Sequence, residues 1–258
     1  MEREILNILK EYTDKPADSL FVKKIYDILR KKFHCEKNLK KLIVDKCKAT
    51  DEDGISYHGF YSYEYLSMYI NTSTFSDYKL DNRNKNIRLL IMILHEFAHV
   101  VHVKRENKLD NYYKLLLDFS DEFEYNTLYS NLHDFVPDER IANIESVYLC
   151  LNILSSDFIN HQEEIYNVKK LLYYYFVKGY EFKEDKLICP LEKILHVSKL
   201  CNKYNKILEY GSNLNISLVE KLLYGLPISI DEYTMVKDTY LTLCEQIKSG
   251  NKLLIKII

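Results

Sequence analysis

The sequence predicts an α+β fold that is mostly helical, with a small antiparallel or mixed sheet preceding a central buried helix. Apolar residues recur at helical spacing over most of the chain, which is typical of amphipathic helices. Residues 65–71 (YLSMYIN) alternate between apolar and polar side chains, as in a half-buried strand. Residues 87–103 (IRLLIMILHEFAHVVHV) are apolar on nearly every side, which indicates a helix at the centre of a domain.

Composition and charge exclude several classes of protein. Of 258 residues, 47% are hydrophobic and 29% charged, which is ordinary for a globular protein. The net charge of -2 gives no electrostatic reason to expect nucleic acid or an anionic membrane as partner. No apolar run reaches the roughly 18 residues of a membrane span, and Met-Glu-Arg-Glu at the start does not resemble a signal peptide. We therefore expect a cytoplasmic protein.

The cysteines agree with that location. Six are scattered along the chain without paired spacing, so we expect reduced core residues rather than a disulfide framework or a zinc-binding cluster. They are Cys35, Cys47, Cys150, Cys189, Cys201 and Cys244.

The first part of the chain is expected to form two helices and then the sheet. Apolar periodicity predicts helices over 2–12 and 17–33. Short strands are predicted at 42–44 and within 55–61, followed by the strand at 64–71.

A glycine and a polar loop lie between these predicted elements. Gly59 interrupts the segment 55–61 and is expected to mark a turn or a bulge. Residues 71–85 form a polar loop, and Asn84 or Asn86 is expected to cap the helix that follows.

The buried helix carries the pattern H-E-x-x-H, with His95, Glu96 and His99. Histidines four residues apart on a helix differ by about 40° in azimuth and about 6 Å in height, so both imidazoles can reach one metal ion. Glu96 can face the attacking water as a general base. This arrangement indicates one Zn²⁺ ion and the chemistry of a zinc-dependent metallopeptidase.

The alternative interpretation is a core helix whose histidines are satisfied by hydrogen bonds. Two histidines and a carboxylate inside an apolar helix would destabilise the fold unless a partner compensated them, which favours the metal site.

Two nearby positions limit the kind of site. His102 lies about 10 Å further along the helix axis than His95, so one ion cannot take both together with His99. The metzincin pattern needs a histidine ten residues after the first ligand, and Arg105 occupies that position. We therefore exclude the metzincin arrangement and expect the third ligand elsewhere in the chain.

The best candidate for a third ligand lies in the segment PDERIANIE at 137–145. Pro137 suits the first turn of a helix, and Glu139 would complete a His2Glu site of the gluzincin kind. Asn143, one turn later, could accept a hydrogen bond from the free ring N–H of a ligand histidine. The alternative for Glu139 is an acid favoured by the helix dipole, and Glu145 and Glu124 are the reserve ligands.

These residues resemble a known family. The block HGFYSYEYLSMYIN, then HEFAHVVH, and later ERIAN are similar to the zincin-like ImmA/IrrE metallopeptidases, over about residues 54–155. The gap between His99 and Glu139 is longer than that pattern leads us to expect. The resemblance implies a zincin-like core with zinc at His95, His99 and Glu139 and with Glu96 as base. It also implies proteolysis of a few specific proteins, often regulators linked to mobile elements or stress.

The gap before Pro137 contains a predicted helix at 110–119 and an acidic, aromatic patch at 121–125. This patch could form a lid or wall of the cleft, or simply a solvated face. His133 could act as an electrophile beside the zinc, or be an ordinary surface histidine.

The C-terminal part reads as helices at 162–180, 191–210, 217–224 and 231–249. Gly211, Gly225 and Gly250 are expected to cap the last three. His196 could stabilise a transition state, or be a packed or exposed helix residue.

We predict a zincin-like metallopeptidase core over 1–155 and a helical region over 156–258. The helical region either completes the lower lobe of the core or forms a small domain that recognises the target.

The predicted function is hydrolysis of a peptide bond in a protein or peptide substrate. The strand at 64–71 could be the edge along which the substrate lies, or an ordinary interior strand. Two further hypotheses are a non-catalytic zincin-fold protein that binds a regulator through its helical C-terminal half, and a structural helical protein without metal.

Overall fold

The computed structural model describes residues 1–46, 49–50, 56–102, 114–115, 118, 130–195 and 201–238. Within them the fold is mixed α+β and mostly helical, with a small sheet, as predicted. The helices are α1 Glu2–Glu11, α2 Ser19–Lys32, α3 Asn82–His102, α4 Pro137–Ser155, α5 Gln162–Val177, α6 Pro190–Leu195, α7 Cys201–Ser212, α8 Leu218–Tyr224 and α9 Ile230–Asp238. The strands are β1 Lys41–Asp45, β2 Ala49–Thr50, β3 Ser56–Tyr57, β4 Gly59–Ser62, β5 Ser67–Asn71, β6 Glu181–Lys183 and β7 Lys186–Ile188. None of the described helices has the length and apolarity needed to cross a membrane.

The chain divides into two compact units. The first holds the described residues of Met1–Lys104 and Glu145–Lys169, and the second holds those of Arg105–Ile144 and Lys170–Lys256. Two of the division points, between residues 144 and 145 and between 169 and 170, fall inside the continuous helices α4 and α5. The predicted domain boundary at residue 155 stays a prediction, because compactness does not show which part folds alone.

In the first unit, the two predicted N-terminal helices are present. Helix α2 begins at an N-cap: the Asp18 carboxylate accepts hydrogen bonds from Phe21 N–H at 2.9 Å and from the Tyr12 hydroxyl at 2.8 Å. The side chain of Asn86 in α3 accepts from Ala17 N–H at 2.9 Å and donates to Tyr12 O at 2.7 Å. These hydrogen bonds hold the connection between α1 and α2 against α3, the helix that carries the histidines.

The start of α3 corrects one prediction. The Asp81 side chain accepts from Asn84 N–H at 2.7 Å, so Asp81 caps the helix and the prediction of Asn84 or Asn86 was wrong. The reason is tertiary, because Asn86 is buried and its amide bonds the preceding connection instead.

The sheet of the first unit is mixed, in the order β1-β5-β4. Strand β5 pairs parallel to β1 and antiparallel to β4, and all five of its residues are buried. The suggestion that 64–71 forms an edge was therefore wrong, and the interior alternative is correct. Among the described strands, β1 and β4 lie at the two edges of this sheet, and α3 packs on β4 and β5.

The second unit contains a hairpin that the sequence did not predict. Strands β6 and β7 pair antiparallel, and the two residues between them, Glu184 and Asp185, have φ of 52° and 61°. Two positive φ values match the tight turn whose twist suits a hairpin. The usual Asn-Gly or Asp-Gly signal is absent from EFKEDKLI, so periodicity alone gave no indication of a turn.

The helix ends of the second unit partly follow the predictions. Gly225 ends α8 with φ of 66°, as predicted for a left-handed cap. Gly211 lies inside α7, so the predicted cap there was wrong. Gly250, the acidic patch at 121–125 and the C-terminal tail lie outside the described residues, as does most of the predicted helix at 110–119.

Candidate metal centre

Helix α3 carries three polar side chains, those of His95, Glu96 and His99, among apolar neighbours. Leu94 and Phe97 are buried, and Glu96 and His99 are each 6% exposed. The Nε2 atoms of His95 and His99 lie 3.2 Å apart, with their ring planes at 79°. The four-residue spacing therefore does converge two imidazole nitrogens on one point, as the sequence predicted.

Glu96 lies against strand β4. A Cβ atom placed on Gly59 would lie 3.2 Å from Glu96 Oε1 and 3.3 Å from the carbonyl oxygen of Tyr69. Gly59 belongs to β4, so it marks a close approach of strand to helix, rather than the expected turn or bulge. The sequence did not reveal this role, and an isolated glycine within a strand segment was the available signal.

Glu139 lies in the first turn of α4, with 13% of its side chain exposed. One ligand atom from each of His95, His99 and Glu139 lies within 4.8 Å of the others, and this group could hold a metal ion. The three residues predicted as ligands are therefore close in space, although forty residues separate His99 from Glu139 in the chain.

The donor set fits zinc. Zn–N distances of about 2.0–2.1 Å in a tetrahedral site place neighbouring ligand atoms roughly 3.3 Å apart. The 3.2 Å between the two Nε2 atoms matches this value. One carboxylate oxygen of Glu139 lies within 4.8 Å of a ring nitrogen of each histidine, so the three side chains face a common point.

His133 also reaches this group of residues. It lies in the short 3-10 helix Ser130–Phe135 that precedes α4, and its Nε2 lies 3.3 Å from Glu139 Oε2. About half of its side chain is exposed, so it can also face solvent or substrate. The contact with Glu139 was not predicted from the sequence, since His133 lies in the 3-10 helix and Glu139 in the α-helix that follows it.

The other candidates have different outcomes. Asn143 lies on α4 one turn after Glu139 and is half-buried, and its hydrogen bond to a ligand histidine stays a prediction. Glu145 is fully buried and is not part of the ligand group found among the described residues. His102 ends α3, but its side chain lies outside the description, as do Glu124 and His196.

Comparison of the chain with protein-family models, with curated proteins and with solved structures found no match in any of the three.

Proposed function

We propose that the protein is a zinc-dependent metallopeptidase with a zincin-like core, which hydrolyses a peptide bond of a specific protein substrate. One observation carries the proposal: His95, His99 and Glu139 bring ligand atoms within 4.8 Å of one another, and Glu96 follows the first of them in sequence. Two imidazoles and a carboxylate are a common ligand set of catalytic zinc, and they leave a fourth position for water or substrate.

In this proposal a bound zinc ion would supply Lewis-acid polarisation of a water molecule and of the scissile carbonyl. Glu96 accepts the proton of the attacking water and then delivers it to the leaving amine. The low exposure of Glu96 suits this role, because a carboxylate shielded from bulk solvent keeps the proton within the site.

The edge strand β4 is the best place for a peptide substrate. It is bonded on one side to β5, and no other described strand covers its second side. Because Gly59 of this strand lies against Glu96, a peptide added to the strand would pass beside the general base. We therefore propose binding by strand addition at β4, in place of the strand at 64–71.

The remaining parts of the proposal follow from the sequence. The resemblance to ImmA/IrrE metallopeptidases favours selective proteolysis of regulatory proteins. The net charge of -2 and the scattered cysteines favour a cytoplasmic enzyme without nucleic-acid or membrane partners.

The test combines metal analysis with cleavage. Purified protein should contain equimolar zinc and cleave members of a peptide library, as read by mass spectrometry, and a chelator should stop cleavage. Glu96→Gln should keep the zinc and lose cleavage, whereas Glu163→Gln, which changes an exposed carboxylate on α5, should retain both.

Three outcomes contradict the proposal. If Glu96→Gln cleaves at the wild-type rate, Glu96 is not the general base. If the purified protein contains no zinc, the proposed metal site is wrong. Bound zinc without cleavage of any peptide favours the alternative, a zincin-fold binding protein.

A further inference from the structure

Arg140, the neighbour of Glu139, is buried, with 2% of its surface exposed. Its guanidinium donates three hydrogen bonds to backbone carbonyls: Nε to Leu222 at 2.8 Å, Nη1 to Lys178 at 2.7 Å and Nη2 to Phe176 at 2.7 Å. All of these residues belong to the second unit. A charge in the protein interior is tolerated only when its hydrogen bonds are well made, and this one is bonded in three directions.

The three carbonyls mark the ends of two helices. Phe176 is in the last turn of α5 and Lys178 directly follows that helix, while Leu222 is in the last turn of α8. The final carbonyls of a helix have no partner within it and carry its negative partial charge. Arg140 therefore joins α4 to the carboxyl ends of two other helices, which complement its charge.

An aromatic ring and a glycine lie close to the side chain of Arg140. The guanidinium lies 5.6 Å from the centre of the Tyr180 ring, and the Tyr180 hydroxyl donates to Leu226 O at 2.6 Å. A Cβ atom on Gly225 would lie 3.4 Å from Arg140 Cδ and 3.0 Å from Pro190 Cβ. Burial lowers the pKa of Arg140 to about 10, which leaves it charged at neutral pH.

Adjacent residues of a helix differ by about 100° in azimuth. Once Arg140 is bonded in three directions, α4 cannot rotate about its axis without breaking those bonds, and the direction of the Glu139 side chain is fixed with it. An apolar residue at position 140 could fill the space, but it would not resist rotation in this way.

We propose that Arg140 is a positioning residue for the metal ligand Glu139, and that the ends of α5 and α8 serve the metal centre by holding Arg140. This inference rests on the proposed zinc site. It gives part of the C-terminal region a function in metal binding, distinct from recognition of a target.

The experiment measures zinc affinity, by competition with a chromophoric chelator, for the wild type and three variants. Arg140→Lys keeps the charge but cannot reach three carbonyls, so we expect zinc to bind about 10–100-fold more weakly. Glu139→Gln reports on the ligand itself and should weaken zinc at least as much. Tyr173→Phe is the matched control, because it removes a tyrosine hydrogen bond of the second unit, to Lys237 O at 3.2 Å, and leaves the three bonds of Arg140 in place.

The Co²⁺-substituted proteins add a spectroscopic readout that does not depend on stability. The visible absorption of Co²⁺ should change in Arg140→Lys toward that of Glu139→Gln, and should remain that of the wild type in Tyr173→Phe. Wild-type zinc affinity and spectrum in folded Arg140→Lys, or an equal loss in Tyr173→Phe, would overturn the inference. A wild-type protein that binds no zinc would instead overturn the proposed function, and the inference with it.

A measurement on the wild type covers the case in which Arg140→Lys fails to fold. Coupling between two binding sites is reciprocal, so zinc binding should in turn stabilise the helix end that holds Arg140. The amides of Gly225 and Leu226 donate to Leu222 O and Lys221 O at the end of α8, and zinc should slow their hydrogen exchange. The amide of Asn213 at the end of α7 should be less affected. Equal exchange rates with and without zinc at Gly225 and Leu226 would contradict the proposal.

Discussion

Gly59 and Glu96 are in contact across the interface between the edge strand β4 and helix α3. A Cβ atom on Gly59 would lie 3.2 Å from Glu96 Oε1 and 3.3 Å from Glu96 Cγ, closer than ordinary van der Waals contact. The absence of a side chain at position 59 thus defines where the Glu96 carboxylate lies relative to the two histidines.

The first prediction follows from this contact. Gly59→Ala should displace the Glu96 carboxylate, and a misplacement of about 1 Å in a catalytic group can lower the rate about 100-fold. We expect kcat to fall by about 10–100-fold with zinc content unchanged, since neither imidazole is touched. Phe60→Ala, on the opposite face of the same strand, is the control for a loss of strand stability. If kcat falls equally in both variants, the contact with Glu96 is not the cause.

The second prediction distinguishes the proposed ligand Glu139 from Glu145, the reserve candidate on the same helix. Glu139→Gln should weaken zinc binding strongly, because a neutral amide replaces an anionic ligand. Glu145→Gln should keep zinc at the wild-type affinity, and because Glu145 is fully buried we expect this variant to lower the stability of the fold instead. Isothermal titration of zinc into the apo proteins measures both. Retention of zinc by Glu139→Gln and its loss by Glu145→Gln would reverse the assignment.

The third prediction concerns the contact of 3.3 Å between His133 Nε2 and Glu139 Oε2. Residues that hydrogen-bond a ligating carboxylate hold it in orientation, and their loss commonly lowers metal affinity by about 10–100-fold. Because His133 is about half exposed, we expect His133→Ala to lower the zinc affinity by about 10-fold, at the low end of this range. His133→Gln retains a donor and should recover part of the affinity. Unchanged affinity in His133→Ala would show that solvent replaces the contact without loss.

The fourth prediction tests the first unit independently of catalysis. Asp18→Ala removes the N-cap of α2 and should lower the free energy of unfolding by about 1 kcal/mol at neutral pH. Asp14→Ala, which removes an exposed carboxylate of the same connection, should have little effect. Urea denaturation at pH 7 compares the two variants.

The same residue gives a pH dependence with a definite sign. Burial raises the pKa of Asp18, but the hydrogen bonds from Phe21 N–H and the Tyr12 hydroxyl outweigh it, and the pKa is lowered overall. A lowered pKa means that the ionised carboxylate stabilises the fold above the unfolded value of about 3.9, and that this stability is lost as the pH falls through the folded value. The difference between wild type and Asp18→Ala should therefore shrink below about pH 4. A difference that grows in acid would contradict this assignment.

Local sequence patterns predicted much of this molecule because they depend on near neighbours along the chain. The helices α1, α2, α5 and α8, the strands β1 and β5, and the cap at Gly225 follow from periodicity and turn chemistry. The hairpin of β6 and β7 did not, since its turn lacks the usual residues. The cap of α3 was misassigned because the burial of Asn86, which uses its amide elsewhere, depends on packing.

For the candidate site, the sequence by itself determined the pair of histidines and the neighbouring Glu96, because a spacing of four residues on a helix fixes their relative directions. It also singled out Glu139 by chemical type, yet it could not determine a distance across forty residues of chain. Tertiary structure decided that Glu139 lies within 4.8 Å of the imidazoles, that Gly59 lies against Glu96, and that three carbonyls hold Arg140. These relationships join residues far apart in sequence, and only the packing of helices and strands determines which of them meet.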